Sequence, residues 1–389
     1  MKQGYLQGIE QLKHDNLYRK LRVLERHEGV RAFFKGRKLL LFCSNDYLGL
    51  SRHPRVVHAA QKALKKYGVG AGAARLISGT TDAHTALEKK IAQFKRKESA
   101  LVFAAGFLAN LGILTTFAGE QDVIIMDKLC HASLVEGARL SKAEFRVFPH
   151  KNYKKCEDLL RGAQGARRRI LVTETVFSMD GDLADLKELV RLKEKYNALL
   201  VVDDAHGTGV LGAHGRGATE NGGLAQKIDI IMGTLSKAIG GLGGFVAADK
   251  ILIDYLVNFA RPFIFATALP PALCEAAREA LCVIDEEPTA REKLWRNISA
   301  VHQGLTRSGF SIAKPESAIL PVMVGDEGKA MEIFDKLLAR GIFIPAVRYP
   351  TVPKGKARLR VTVSAAHSEK DICKLLGAFQ ALSREEFTR

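Results

Sequence analysis

The feature that most constrains the fold is a regular alternation of short apolar runs with longer amphipathic stretches. The apolar runs have the length of buried strands, and the stretches between most of them have helical periodicity. The predicted strands lie within residues 99–249 and are SALVFAA, DVIIMD, FRVFPH, RILVTETVFS, ALLVVDD, IDIIMGT and GGFVAAD. Strands joined by helical crossovers predict an α/β fold with a large, mostly parallel sheet that is covered on both faces.

The pattern changes towards both ends of the chain. Residues 1–40 are expected to form a helix and a short hairpin, and residues 41–285 the large domain. From 286 to 389, two strands alternate with three helices, which predicts a small C-terminal α+β domain. The acidic turn DEEPTA, which begins at Asp285, is the expected boundary.

Composition narrows the class of protein. Lysine and arginine exceed aspartate and glutamate by 17 in 389 residues. These basic residues are dispersed and lack interleaved aromatic residues, so we expect no nucleic-acid function. No run of eighteen apolar residues occurs and the first residues are polar, which predicts a cytoplasmic protein without a membrane segment. The six cysteines form no C-x-x-C pair, so we expect buried thiols rather than disulfides or a metal site.

Two segments carry the chemistry. ALLVVDDAHGTG contains Asp203 at the end of a predicted strand and His206 three residues later, and IDIIMGTLSKAIGG contains Lys237 between a second strand and a glycine-rich loop. Taken alone, Lys237 could be a surface charge and Asp203 a helix cap. Together they match pyridoxal 5′-phosphate (PLP) chemistry, in which a lysine holds the cofactor aldehyde as a Schiff base and a carboxylate keeps the ring nitrogen protonated.

Further residues suit the ends of such a cofactor and of its substrate. In AAGFLAN, the backbone N–H groups of Gly106 and Phe107 would face a phosphate at a helix N-terminus, and Thr234 adds a hydroxyl beside the lysine. Arg358 and Arg360 alternate along a predicted strand and would bind a carboxylate or form an exposed face.

Six motifs, in order along nearly the whole chain, resemble the α-oxoamine synthase family of PLP enzymes. They are FCSNDYLGLSRHPRV, HASLVEGARL, TETVFSMDGD, VVDDAHGTGVLG, GTLSKAIGG and ARLRVTVSAAH. The resemblance implies the PLP-dependent aminotransferase-like fold (fold type I). Within the family, LYRKLRVLE, DDAHGTG and AVRYPTVPKGKARLRVTVSAAH favour the branch that joins L-alanine to a pimeloyl thioester of coenzyme A or of an acyl carrier protein.

The resemblance also implies roles for single residues. Lys237 would carry the cofactor and then remove the Cα proton of alanine, and Asp203 would pair with the ring nitrogen. His206 and Ser178 would hydrogen-bond the ring oxygen, and His131 would lie on the ring face, although a capping or core histidine is the alternative. Further family matches are Thr267 on the neighbouring subunit of a homodimer, Arg360 and Asn45 at the alanine carboxylate, and Arg19 and Thr351 at the substrate.

Other functions remain possible at this stage. Glycine C-acetyltransferase, or a long-chain relative similar to serine palmitoyltransferase, would use the same residues with a different amino acid or acyl chain. A noncatalytic scaffold or a basic nucleic-acid-binding protein is the alternative of a different class. The chain also departs from the family pattern at Cys130, at Ala73 and Ala74, and at Ser236, which precedes the lysine where glycine is common.

Overall fold

A computed structural model of the chain describes residues 2–382. Its contacts divide into two units. One comprises the residues up to Gly49, Met179–Gly181 and the residues from Glu292 onward; the other comprises Leu50–Ser178 and Asp182–Arg291. We call them the small unit and the large unit.

The large unit contains one seven-stranded sheet. Its strands are β4 (Ser99–Phe103), β5 (Val123–Asp127), β6 (Glu144–Phe148), β7 (Arg169–Glu174), β8 (Leu199–Asp203), β9 (Ile230–Thr234) and β10 (Gly244–Ala248). Their order is β4-β10-β9-β8-β7-β5-β6, and only β10 runs antiparallel to both of its neighbours. Every residue of β5, β9 and β10 is buried, as expected for strands covered on both faces. The predicted α/β class is therefore confirmed.

Within the described residues, the same unit contains ten α-helices. They are α2 (Pro54–Tyr67), α3 (Asp82–Lys95), α4 (Gly106–Phe117), α5 (Ala132–Leu140), α6 (Tyr153–Arg161), α7 (Leu186–Tyr196), α8 (Leu224–Lys227), α9 (Lys250–Phe259), α10 (Arg261–Ile264) and α11 (Pro271–Glu286). The core of the unit joins apolar side chains of the sheet to those of α4, α5 and α9, including Ile113, Leu134 and Leu256. Burial of this apolar surface is the main force that holds helices and sheet together.

The small unit contains two sheets. The first has the order β1 (Arg26–Glu28), β2 (Arg31–Phe34), β3 (Arg37–Leu41) and β12 (Ile342–Phe343). The second has the order β11 (Ile319–Gly325), β14 (Ala357–Thr362) and β13 (Ala346–Val347). Its helices are α1 (Lys2–His14), α13 (Glu327–Ala339) and α14 (Glu369–Gln380). A further helix, α12 (Pro288–Arg307), starts in the large unit and belongs to the small unit from Glu292 onward. The predicted N-terminal helix and hairpin correspond to α1 and β2–β3.

Two expectations about side chains and membranes can be compared with the structure. Cys130, Cys156 and Cys274 are buried, but Cys373 is exposed on α14, so the expectation of buried thiols is wrong for that residue. It faces outward because the inward positions of α14 are taken by Ile372, Leu375 and Phe379.

Among residues 2–382, no helix combines the length and hydropathy that a membrane crossing requires.

Candidate active site

The candidate site lies where three parallel strands of the large unit end. Asp203 is the last residue of β8, and Lys237 follows the last residue of the neighbouring β9 by three positions. The glycine-rich loop after the lysine turns sharply at Gly240, which has φ +78°. A Cβ there would lie 2.3 Å from the backbone nitrogen of Ser51, so only glycine allows this close approach. Such an edge is where ligands of open α/β sheets bind.

A cavity of about 250 Å³ opens at this edge. Seven of the predicted site residues line it together: Gly106, Phe107, His131, Asp203, His206, Thr234 and Lys237. The other lining residues are Ala105, Asn110, Ser133, Glu174, Ala205, Met232 and Ser236. Side chains from segments more than 100 residues apart along the chain thus converge on one small space.

Asp203 is held by donors. Its Oδ1 accepts the backbone N–H of Ala205 at 2.9 Å, and its Oδ2 accepts Nδ2 of Asn110 at 2.8 Å. Asn110 also donates to the Ser133 hydroxyl at 2.9 Å. Both oxygens of this buried carboxyl group thus have a donor. Sequence analysis missed Asn110 and Ser133; the signal for Asn110 was a polar side chain on the apolar helix α4.

His131 has the capping role and also lines the cavity. It is the N-cap residue of α5, and its Nδ1 accepts the backbone N–H of Ser133 at 3.2 Å. The residue is nevertheless exposed and lines the cavity, so a ligand can reach it there. Burial lowers the pKa of His131, although the negative charge of Asp203 acts in the opposite direction. The lowered pKa favours a neutral imidazole.

The opposite end of the cavity presents donors to an anion. The first N–H groups of α4 have no acceptor within the helix, and Gly106 and Phe107 are its first two residues. A Cβ on Gly106 would lie 3.4 Å from Oγ1 of Thr234, which places this helix end beside the hydroxyl. The Ser236 hydroxyl lies 2.6 Å from that of Thr234. Thr234 donates to the carbonyl of Gly243 at 2.9 Å, so the Ser236 hydroxyl donates to Thr234. Ser236, noted only as a departure from the family, is therefore the hydrogen-bond partner of the predicted Thr234 hydroxyl.

The segment that follows Asp203 is anchored by a buried ion pair. The Lys95 ammonium lies 2.7 Å from Oδ2 of Asp204, and neither side chain is exposed. Lys95 also donates to the Thr208 hydroxyl and to the carbonyl of Arg216. All three ammonium protons thus have acceptors. Lys95 thus fixes the segment that carries His206, because this histidine lies between Asp204 and Thr208, which both contact Lys95.

Two predicted cofactor contacts of the large unit do not line the cavity described above. Ser178 is buried four residues beyond β7. Thr267 is exposed and forms an isolated antiparallel bridge with Ala74. The roles of both residues stay predictions.

The predicted substrate contacts lie in the small unit and form two groups. Arg360 on β14 donates to Oδ1 of Asn45 at 3.2 Å and to the Tyr47 hydroxyl at 3.4 Å. Arg358 instead forms a 2.7 Å ion pair with Asp180, which distinguishes the two arginines. In the second group, Arg19 donates to the carbonyl of Tyr349 at 3.0 Å, two residues before Thr351.

A larger cavity of about 670 Å³ is a weaker candidate. It lies at the opposite end of the strands, beside the first residues of β7 and β8. Its lysine, Lys193, forms a 2.7 Å ion pair with Asp229, and Arg167 pairs with Asp122. These cations are already neutralised, so the smaller cavity is the better candidate for chemistry.

The donor set of the smaller cavity suits PLP. The Lys237 amine suits the cofactor aldehyde, and the Asp203 carboxylate, which has a donor on each oxygen, suits the ring nitrogen. The exposed His131 suits the ring face, and the first N–H groups of α4 suit the phosphate. Fold and site thus define the class of PLP-dependent enzymes built on a parallel sheet. The family model "Aminotransferase class I and II" matches residues 37–379, and the chain belongs to this family.

Individual relatives are more specific. The chain is 46% identical over 379 residues to 8-amino-7-oxononanoate synthase of Geobacter sulfurreducens, covering 97% of each chain. It is 43% identical to 8-amino-7-oxononanoate synthase 1 of Bacillus subtilis over 377 residues, covering 97% of this chain and 96% of the relative. Serine palmitoyltransferase of S. paucimobilis, solved with PLP and myriocin, has a TM-score of 0.92 at 32% identity, covering 98% and 97%. The resemblance found in the motifs, and the fold that it implies, are confirmed.

Proposed function

We propose that this chain is a PLP-dependent 8-amino-7-oxononanoate synthase of biotin biosynthesis. The cofactor is pyridoxal 5′-phosphate, and the reaction is a decarboxylative C-acyl transfer from a pimeloyl thioester to L-alanine. The observation that carries the proposal is the meeting of Lys237, Asp203, His206 and His131 in one cavity at the edge of the sheet. The names of the relatives with more than 40% identity over nearly the whole chain support the same substrates.

The reaction balances without an added oxidant or reductant. A bond forms between Cα of alanine and the carbonyl carbon of the thioester, and the carrier thiol leaves. The alanine carboxylate departs as carbon dioxide, and a proton returns to Cα. When bound, the cofactor supplies the electron sink that makes both carbon steps accessible.

The side chains of the cavity have distinct tasks. Lys237 would hold the cofactor through its amine, and with alanine bound the same amine would remove the Cα proton and later return one. Asp203, aligned by Asn110, holds the proton on the ring nitrogen. His131 contacts the ring face.

The remaining site residues bind groups at the two ends. Gly106, Phe107 and Thr234 bind the phosphate, and His206 and Ser178 bind the ring oxygen. In the small unit, Arg360 with Asn45 binds the carboxylate of alanine, and Arg19 and Thr351 contact the substrate. A guanidinium suits this task because its planar fork matches a carboxylate.

We also propose a homodimer in which Thr267 reaches the cofactor of the partner subunit. The exposed Thr267 lies on the surface beside Ala74, and large apolar side chains of the same two segments are exposed. Val69 is 84% exposed, Ile77 81% and Phe265 69%. Exposed apolar side chains of this size in neighbouring segments favour a protein interface. Gel filtration with light scattering tests the dimer.

The acyl carrier is coenzyme A or an acyl carrier protein, and the compartment is the cytoplasm. The free cysteines among the described residues agree with a reducing compartment. The excess of 17 positive charges would attract either carrier, since both are anionic. Both thioesters are compared over a salt series. Attraction of an acidic carrier protein is screened over roughly 8 Å at physiological ionic strength, so kcat/KM for its thioester should fall steeply with added salt. A carrier-protein thioester that is inert, or whose use is indifferent to salt, excludes this carrier.

The experiment that tests the function is an assay of the purified enzyme with pimeloyl thioesters and one of three amino acids. We expect product and carbon dioxide with alanine, and much less with glycine or serine. Preference for serine with a long acyl chain would instead favour the activity named for the similar palmitoyltransferase. Absence of any PLP-dependent absorbance would contradict an enzyme of this class altogether.

A further inference from the structure

The cavity contains a second carboxyl group that the proposed chemistry does not use. Glu174 is the last residue of β7 and the register partner of Asp203 on β8. Both residues line the cavity, and their exposed fractions are 3% and 5%. Two carboxyl groups that share such a small and dry space do not both ionise readily, because each charge raises the cost of the other.

The hydrogen bonds distinguish the two carboxyl groups. Asp203 accepts one donor on each oxygen, from Ala205 and from Asn110. In contrast, Oε1 of Glu174 has no hydrogen-bond partner within residues 2–382. A buried, unpartnered carboxylate oxygen is costly, whereas a protonated carboxyl group needs fewer donors.

The charges that face Glu174 agree with this division. Asp203 on β8 and Asp127 on β5 repel a negative charge on Glu174, while Lys237 in the loop after β9 attracts one. His150 contacts Asp127 at 3.0 Å and so moderates its effect. Burial, followed by Asp203, raises the pKa of Glu174 well above its usual range despite Lys237.

We propose that Glu174 is a neutral carboxylic acid that donates a hydrogen bond to an oxygen of the bound cofactor or substrate. Asp203 can only accept hydrogen bonds while it is charged, so Glu174 adds a donor beside it. The proposal rests on the proposed function for the identity of the ligand. The protonation state of Glu174, however, is a property of the protein without ligand.

The first test measures unfolding of the cofactor-free protein against pH for the wild type and Glu174→Gln. The folded state keeps the proton on Glu174, and the unfolded state loses it above a pH of about 4.5. Stability that comes from this proton is therefore complete at low pH and is lost as pH rises towards the folded pKa. Relative to Glu174→Gln, the unfolding constant of the wild type should rise up to about tenfold per pH unit between pH 5 and 7.

Controls make this result specific. Glu136→Gln changes a glutamate with a 46% exposed side chain on α5 and should give a curve parallel to the wild type. If Glu174→Gln does not fold, Glu174→Met removes the same titration and allows the same comparison. Parallel curves for the wild type and the Glu174 variant would mean an ionised Glu174 and would overturn the proposal. This arm uses no substrate, so a failed synthase assay leaves its outcome unaffected.

The second test titrates the cofactor-free protein with PLP and tests the donor role. Glu174→Gln keeps an N–H donor, whereas Glu174→Met has none. We expect Glu174→Met to bind PLP about tenfold more weakly than Glu174→Gln, the loss of about one hydrogen bond. If alanine then raises PLP affinity less in Glu174→Met, the acceptor lies on the substrate. Equal affinities of the two variants, with and without alanine, would refute the donor role.

Discussion

The buried pair of Lys95 and Asp204 provides the sharpest test of how the site is supported. Lys95→Met keeps the length and the apolar stem of the side chain but removes the ammonium. The carboxylate of Asp204 then remains buried without a counterion, and the Arg216 carbonyl loses its donor at 2.6 Å. Breaking a buried ion pair by removing one partner typically costs about 3–5 kcal/mol.

The structure places the expected loss at the lower end of that range. Asp204 retains the Thr175 hydroxyl at 2.6 Å and the backbone N–H of Ala218 at 3.3 Å, and these donors partly stabilise its charge. We therefore expect a loss of about 3 kcal/mol in the free energy of unfolding. For a unit of the size of the large unit, this corresponds to a fall in Tm of roughly 6–12 °C.

The assay is urea unfolding of the wild type, Lys95→Met, Asp204→Asn and the double variant. In the double variant the unpaired charge is absent, so its loss should be smaller than the sum of the two single losses. Lys250→Met is the matched control, because its ion pair with Asp254 is exposed and should contribute almost nothing. A loss below about 1 kcal/mol for Lys95→Met, or one equal to that of the control, would refute the reasoning.

Three further predictions concern the site and its surroundings. Lys237→Ala should fold but lose nearly all turnover and the visible absorbance of lysine-attached cofactor; a borohydride-reducible adduct on another lysine would contradict the assignment. Arg360→Lys keeps the charge but not the planar fork, so it should chiefly raise KM for alanine; a change confined to the thioester would assign Arg360 to the other substrate. Burial lowers the pKa of His150, but the hydrogen bonds that its ring donates to Asp127 and Asp182 outweigh burial and raise the pKa to about 9. Stability from this histidine should be complete below pH 6.5 and lost towards pH 9, and identical pH dependence in His150→Gln would contradict this.

The sequence by itself determined the class of the sheet and the position of its functional edge. Strand length and helical periodicity are local properties, so they predicted β7, β8 and β9 and the residues at their ends. Asp203 and Lys237 could be assigned because parallel strands bring their carboxyl ends to one edge. The motifs added His131 and His206, and both line the same cavity.

Only the tertiary structure decided which polar side chains meet inside the large unit. Asn110 contacts Asp203 across 93 positions of the chain, and Glu174 faces Asp203 through strand register. Neither contact follows from periodicity, because it depends on how α4 and two strands pack. Similarly, Arg358 and Arg360 look equivalent on alternate positions of one strand, and only their partners distinguish them. Local pattern selects the elements, whereas long-range packing selects the hydrogen-bond partners and the charge state of each buried group.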